Sequence, residues 1–240
     1  MPRFRVLFIT PGPLLGGGAT VSLYRLIKYL DRQRYEPIVL CHECGPTNPY
    51  VTKLQELGVE VLCLRNSDGV SNTTSRQKRA LNRRARSPWV ERLAAWKRRH
   101  RPVEAAYSVW RTGRRFLAVD LPRCLAVARI IKERQINLVH LNNAVRSHRG
   151  DIMAARLVGV PCVCHVRVFD RFEVGDGPLL RSVDYFVYVS RALKAHVQAR
   201  WPAAVGSRVY DGLELADTSR VRGKRRAQLA SADRTTRRVK

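Results

Sequence analysis

Apolar and polar positions along this chain follow two rhythms, and the switch between them repeats. Residues 5–10 hold the continuous apolar run Val6-Leu7-Phe8-Ile9, stopped by Pro11-Gly12-Pro13. So short and unbroken a run predicts a strand buried on both faces. Over 19–30 the rhythm changes. Leu23, Leu26, Ile27 and Leu30 recur at i, i+3, i+4 and i+7, one face of a helix. The pair returns as a strand at 37–41 and a helix at 48–57, closed by Gly58 at a C-cap-like position, followed by a strand at 59–64. After an interruption come a helix at 121–135, a strand at 137–141, and a helix at 150–158 ended by Gly159 and Pro161. Strands at 161–168 and 184–189, a helix at 191–200 capped by Ser190, and a short strand at 208–210 complete the series. Strands alternating with helices of this length predict a Rossmann-like α/β fold, a doubly wound and mostly parallel sheet of about seven strands with helices on both faces.

The chain has 240 residues, 45% of them hydrophobic, which is enough for a real core and argues against global disorder. No apolar run approaches the roughly 18–20 residues of a membrane-spanning helix. The N-terminus lacks the long apolar region and small-residue cleavage site of a signal peptide, so a cytoplasmic chain is expected.

The net charge of +26 is concentrated: residues 65–118 carry +12 and residues 220–240 carry +8, while the remainder is close to balance. The expected organisation is an α/β domain over 1–217, interrupted by a basic insertion at 66–118 and followed by a disordered basic tail at 218–240. The insertion sets Trp89, Trp96 and Trp110 among Arg83-Arg84, Lys97-Arg98-Arg99 and Arg114-Arg115. A basic helix bearing tryptophans suits an anionic membrane surface, which would make the protein peripheral on the inner face. Arg interleaved with aromatics also suits single-stranded nucleic acid, but no recognised nucleic-acid motif accompanies it, so nucleic acid is disfavoured as a partner. A solvated insertion with neither role is the plainer alternative.

In a chain without an export signal the six cysteines are expected as reduced thiols, with Cys63, Cys162 and Cys164 acting as small buried hydrophobes. Cys41-His42-Glu43-Cys44 is half of a zinc site, and no second pair follows at finger-like spacing, so no metal is expected. The loop after the first strand holds Gly16, Gly17 and Gly18 directly before a helix, where backbone N–H groups can approach an anion. It is not a Walker A loop, because no Gly-Lys-Ser/Thr follows, nor a clean dinucleotide fingerprint, because Val21 stands where the third glycine would be.

The strand, the Gly16-Gly17-Gly18-Ala19 loop and the following helix resemble the start of family 4 glycosyltransferases, which have the GT-B fold. Four further stretches fall in the expected order. Ile136-Asn137-Leu138-Val139-His140-Leu141-Asn142 resembles a strand that members often end in His. Gly159-Val160-Pro161-Cys162-Val163-Cys164-His165 resembles their G-x-P-x-V-x-x-x-H stretch. Val183-Asp184-Tyr185-Phe186-Val187-Tyr188-Val189-Ser190 resembles a strand ending in Ser. Val209-Tyr210-Asp211-Gly212-Leu213-Glu214 resembles the segment that closes the N-terminal domain, with Asp211 where the family usually has Asn.

The resemblance implies one half of a GT-B enzyme, its acceptor-side domain, with the donor-binding domain and its E-x7-E motif missing and to be supplied in cis or trans. It implies a nucleotide-sugar substrate, a glycan or lipid-linked acceptor, no cofactor and no metal. His165 becomes the candidate catalytic residue, touching sugar or acceptor. Gly16, Gly17 and Gly18 become donor-diphosphate ligands, and His140, Asn142 and Asn143 candidate acceptor ligands. Retaining transfer in the family implies that the leaving diphosphate helps deprotonate the acceptor, so no general base is assigned. Two other readings remain open: a basic adaptor for membrane or nucleic acid, and a dinucleotide-binding domain in which Glu43 mimics the ribose-binding acid.

Overall fold

The computed structural model describes residues 3–12, 14, 16–42, 48–64, 110, 112–172 and 176–212. The basic insertion beyond those positions, Glu43 and Cys44, and the tail at 218–240 lie outside the described residues.

The described residues form β1 (Phe4–Thr10), α1 (Gly18–Lys28), β2 (Tyr35–Cys41), α2 (Pro49–Glu56) and β3 (Glu60–Cys63). A π-helical turn, Phe116–Asp120, leads into α3 (Leu121–Glu133), followed by β4 (Leu138–Asn143). A 3₁₀ turn, Val145–His148, then opens α4 (Arg149–Val158), and β5 (Cys162–Val166), α5 (Gly177–Arg181), β6 (Tyr185–Tyr188), α6 (Arg191–Arg200) and β7 (Gly206–Arg208) complete the order. All neighbouring strands pair in parallel, in the order β3-β2-β1-β4-β5-β6-β7. This is the doubly wound arrangement that the alternating rhythm predicts, and its order reverses between β1 and β4.

Strand alternation divides the core. Leu7, Ile9, Ile38, Leu40, Val139, Leu141, Cys162 and Cys164 face one cluster with Val127, Ile131 and Ile152 of α3 and α4. Val6, Phe8, Val39 and Cys41 face the other, with Leu23 and Ile27 of α1 and Leu54 of α2. This parity positions the site. On β4 and β5 the residues that alternate with the first cluster are His140, Asn142, Val163 and His165, which therefore share the α1 face.

Four details differ from the sequence expectation. β4 runs on through Asn142 and Asn143, so these are strand-end residues rather than loop. The short helix α5 carries no periodic pattern long enough to reveal it. The edge strand is Gly206-Ser207-Arg208 rather than 208–210. A Cβ at Gly206 would stand 2.2 Å from the Phe186 carbonyl oxygen, so close approach rather than an apolar pattern defines that strand. Cys63 is exposed, because it ends the outermost strand β3, and it is disulfide-bonded rather than a buried thiol.

Candidate functional site

In an open parallel sheet, ligands sit beyond the carboxyl ends of the strands where the order reverses. Here that crevice lies past β1 and β4. Its first wall is the turn into α1. Gly16 has φ +105, which an L side chain rarely adopts, and a Cβ there would meet the Tyr50 ring at 3.3 Å. Gly17 is the N-cap of α1 and lends no side chain to it. A Cβ at Gly17 or Gly18 would meet nothing within 4 Å. Packing therefore explains Gly16 but not its two neighbours, which leave open space over a helix N-terminus.

The second wall is a clasp built on Arg167, one residue past β5. Its Nε donates to Asn142 Oδ1 at 2.8 Å and its Nη1 to Ser22 Oγ at 2.8 Å. Nη1 also donates to both carboxylate oxygens of Asp211 at 2.6 Å, and Nη2 donates to His165 Nδ1 at 3.1 Å. One guanidinium thus ties α1, β4, β5 and the segment after β7 together. Asn142 in turn donates from Nδ2 to the Ala19 carbonyl at 3.2 Å, which fixes β4 to the first turn of α1. His165, Arg167, Ser22, Tyr210 and Asp211 line a cleft of about 870 Å³ that continues along α1 past Leu26 and Tyr29.

An arginine can only donate, so His165 Nδ1 must be an acceptor and the ring proton lies on Nε2. Burial pushes the His165 pKa down to about 4, with Arg167 acting in the same direction and Asp211 against it. His165 is thus a neutral ring whose only lone-pair nitrogen is already engaged. Its Nε2 is buried without a partner. That makes it a hydrogen-bond donor in waiting and a poor proton acceptor. His140 stands behind it, edge to face at 5.7 Å and tilted on Phe8 at 4.9 Å. Burial first, then His165 and Arg167, hold its pKa down to about 3. Asp211 is half exposed; burial pushes its carboxyl up, but hydrogen bonds from Ser22 and Arg167 outweigh this and hold it below the ordinary range.

The residues expected from the sequence are only partly brought together. His165 lines the cleft and touches Arg167, and Asn142 anchors the same guanidinium. Gly16, Gly17 and Gly18 flank the crevice but do not line that cleft, and neither do His140 or Asn143. Asn143 closes β4 with φ +112, a strained backbone at the point where the sheet order reverses. Arg167 and its partner Asp211 were missed. The signal was present: counted from Gly159, the last position of G-x-P-x-V-x-x-x-H falls on Arg167, not on His165.

The fold is similar to one Rossmann-like half of solved glycosyltransferases with the GT-B fold. Solved structures with the same fold include a glycosyltransferase from Rickettsia africae, 14% identical, matched over 89% of this chain and 44% of its own with a TM-score of 0.55. Another is UGT2 of Phytolacca americana, 11% identical, matched over 91% of this chain and 56% of its own with a TM-score of 0.52. A third is the lipopolysaccharide outer core galactosyltransferase WaaB, 14% identical, covering 88% and 47% respectively with a TM-score of 0.51. The chain thus spans about half the length of each of these structures. No protein-family model and no curated protein matches the sequence.

Proposed function

We propose that this chain is the acceptor-side half of a retaining glycosyltransferase that moves a sugar from a nucleotide-sugar to an envelope, lipid-linked or polysaccharide acceptor. A donor-binding domain, in cis or in trans, faces the crevice. The observation that carries the reading is the pair of open glycines at the N-terminus of α1, set beside the Arg167 clasp at the point where the strand order reverses. Amide N–H groups and a helix dipole suit the negative charge that grows on a departing diphosphate. The similarly folded UGT2 is complexed with UDP-2-fluoro-glucose, and WaaB is a galactosyltransferase, which supports a nucleotide-sugar as donor. In this reading Gly17 and Gly18 meet the diphosphate, and Arg167 holds Asn142 and His165 at the acceptor side. The Nε2–H of His165 is available to a substrate hydroxyl once the pocket opens around it.

A second observation supports attachment to an anionic membrane. Trp110, Leu117 and Leu125 are exposed, and the Arg114 guanidinium lies 5.5 Å from the Trp110 ring centre. Among the described residues no helix is long and apolar enough to cross a membrane.

The test is incorporation of labelled sugar from a panel of nucleotide-sugars by membranes of cells expressing the full-length protein. The proposal expects incorporation with one donor and its loss in Gly17→Asp. Equal incorporation in wild type, Gly17→Asp and cells lacking the gene overturns it. Pelleting with anionic but not neutral vesicles tests the membrane arm.

A further inference from the structure

The stretch Cys41-His42-Glu43-Cys44 has no part in the proposed function, yet the fold gives His42 a distinct environment. Strand alternation sends the Cys41 thiol into the cluster under α1 and α2, where burial raises its pKa to about 12. His42, one residue on, faces α4 instead. Its Nε2 lies 2.9 Å from Asp151 Oδ2. The same carboxylate oxygen lies 2.7 Å from His148 Nδ1, which the 3₁₀ turn between β4 and α4 brings in. All three residues are buried: His42 is 2% exposed, His148 and Asp151 0%. Their ligand atoms lie within 4.8 Å of one another.

Hydrogen-bond chemistry restricts what this cluster can be. His148 Nε2 lies 3.1 Å from the Asn142 carbonyl oxygen, an acceptor only, so Nε2 carries the ring proton. In a neutral ring, Nδ1 then sets a lone pair against the lone pairs of Oδ2 at 2.7 Å. A positive charge must lie between them, either a second proton or a cation. The proton leaves a defect. Both rings then serve Oδ2, while Asp151 Oδ1 remains buried without a partner. A bare carboxylate oxygen in a dry interior is costly. A cation removes that defect, because Oδ1 becomes a ligand, and it leaves the buried, unpartnered His42 Nδ1 as it is.

We propose that His42 Nε2, His148 Nδ1 and the two carboxylate oxygens of Asp151 form a site for a divalent transition metal of the zinc class. Two imidazoles and a carboxylate suit zinc or cobalt and disfavour magnesium and calcium, which take all-oxygen shells. The His148 Nε2–H donated to a backbone carbonyl is the outer contact that fixes a ligating imidazole. Metal bonds of about 2.0–2.1 Å hold ligand atoms farther apart than a shared proton does, so loading widens the two short contacts. The ion joins the end of β2 to the turn between β4 and α4. Because His148 hangs on the Asn142 carbonyl and the Asn142 side chain holds Arg167, the ion also braces the crevice floor. The site is structural, and its existence does not depend on the proposed transfer reaction.

The experiment is elemental analysis of the full-length protein carrying a tag free of histidine, followed by chelation and titration with cobalt(II). The proposal expects about one zinc-class metal per chain, visible cobalt d–d bands on titration, and a thermal midpoint lowered by chelation and restored by zinc but not magnesium. Asp151→Asn and His148→Gln should weaken cobalt binding by ~100-fold or more. The wild-type titration decides even if both variants unfold. A metal-free chain that develops no cobalt bands overturns the proposal, and both His148 ring nitrogens protonated in its ¹⁵N spectrum would identify a buried imidazolium in its place.

Discussion

Replacing Arg167 by Leu removes the guanidinium on which the crevice is assembled. The cost follows from what each partner loses. Asn142 is 1% exposed and His165 6%, so Oδ1 of the first and Nδ1 of the second lose their donor while largely buried. Each such loss costs about 1–3 kcal/mol. Asp211 is 42% exposed and rehydrates, so the ion pair adds no more than about 1 kcal/mol. The leucine recovers some apolar packing, which leaves a net loss of about 3–5 kcal/mol. The assay is urea unfolding followed by tryptophan fluorescence, with Asp211→Ala as the partner in a double-mutant cycle. Asp211→Ala alone should cost about 1 kcal/mol. A second readout is specific to the clasp: the His165 pKa should rise from about 4, because the Arg167 charge that lowers it is gone, while burial keeps it below the ordinary histidine value. A loss under about 1 kcal/mol in Arg167→Leu, with His165 titrating as in wild type, refutes the clasp.

The remaining expectations concern pH and packing. His140 and His165 titrate at about 3 and about 4 in the folded chain, below the ordinary value of 6.5, so the unfolded chain binds more protons between those limits. Their contribution is therefore complete above about pH 6.5 and is lost as pH falls through that window, which urea midpoints at stepped pH values will show. Asp211 has a lowered folded pKa, so its contribution is present above its unfolded value of about 3.9 and lost as pH falls toward the folded one; Asp211→Asn should flatten that acid limb. Gly206→Ala forces a methyl group against the Phe186 carbonyl and should cost about 1–3 kcal/mol, with faster amide exchange in β7 while β1 stays protected.

The layered fold was legible because its signals are local. Val6 to Ile9 read as a buried strand, and Leu23, Leu26, Ile27 and Leu30 read as a helix face, with no knowledge of neighbours. The edge strand was not, since Gly206-Ser207-Arg208 has no apolar pattern and is held by close approach to Phe186. The same contrast runs through the site. The glycine turn announces itself by composition, and His165 by a family resemblance. Arg167 gains its role from partners 25, 44 and 145 residues away, which no window along the chain can join. Asp211 looked like a departure from the family pattern until its carboxylate proved to be paired with Arg167. His148 and Asp151 sit at helical i, i+3 spacing, but only the parallel register brings His42 to Asp151 from 109 residues away.

The central claim is that the open turn at Gly17 and Gly18 receives the diphosphate of a nucleotide-sugar. Gly17→Asp separates that claim from stability. The backbone at Gly17 has φ −65 and ψ 162, which any residue adopts, and a Cβ meets nothing within 4 Å. Aspartate is also a favoured N-cap, so the variant should unfold at the same urea concentration as wild type or slightly above it. Its negative charge repels a phosphate. The measurement is an NMR titration of backbone amides with UDP-sugars and GDP-sugars. One donor should move the amide signals of Gly16 to Ala19 and the side-chain amide of Asn142 in the wild type, and leave Gly17→Asp unmoved. Unmoved signals in wild type at millimolar donor, or equal shifts in the two proteins, would contradict the claim.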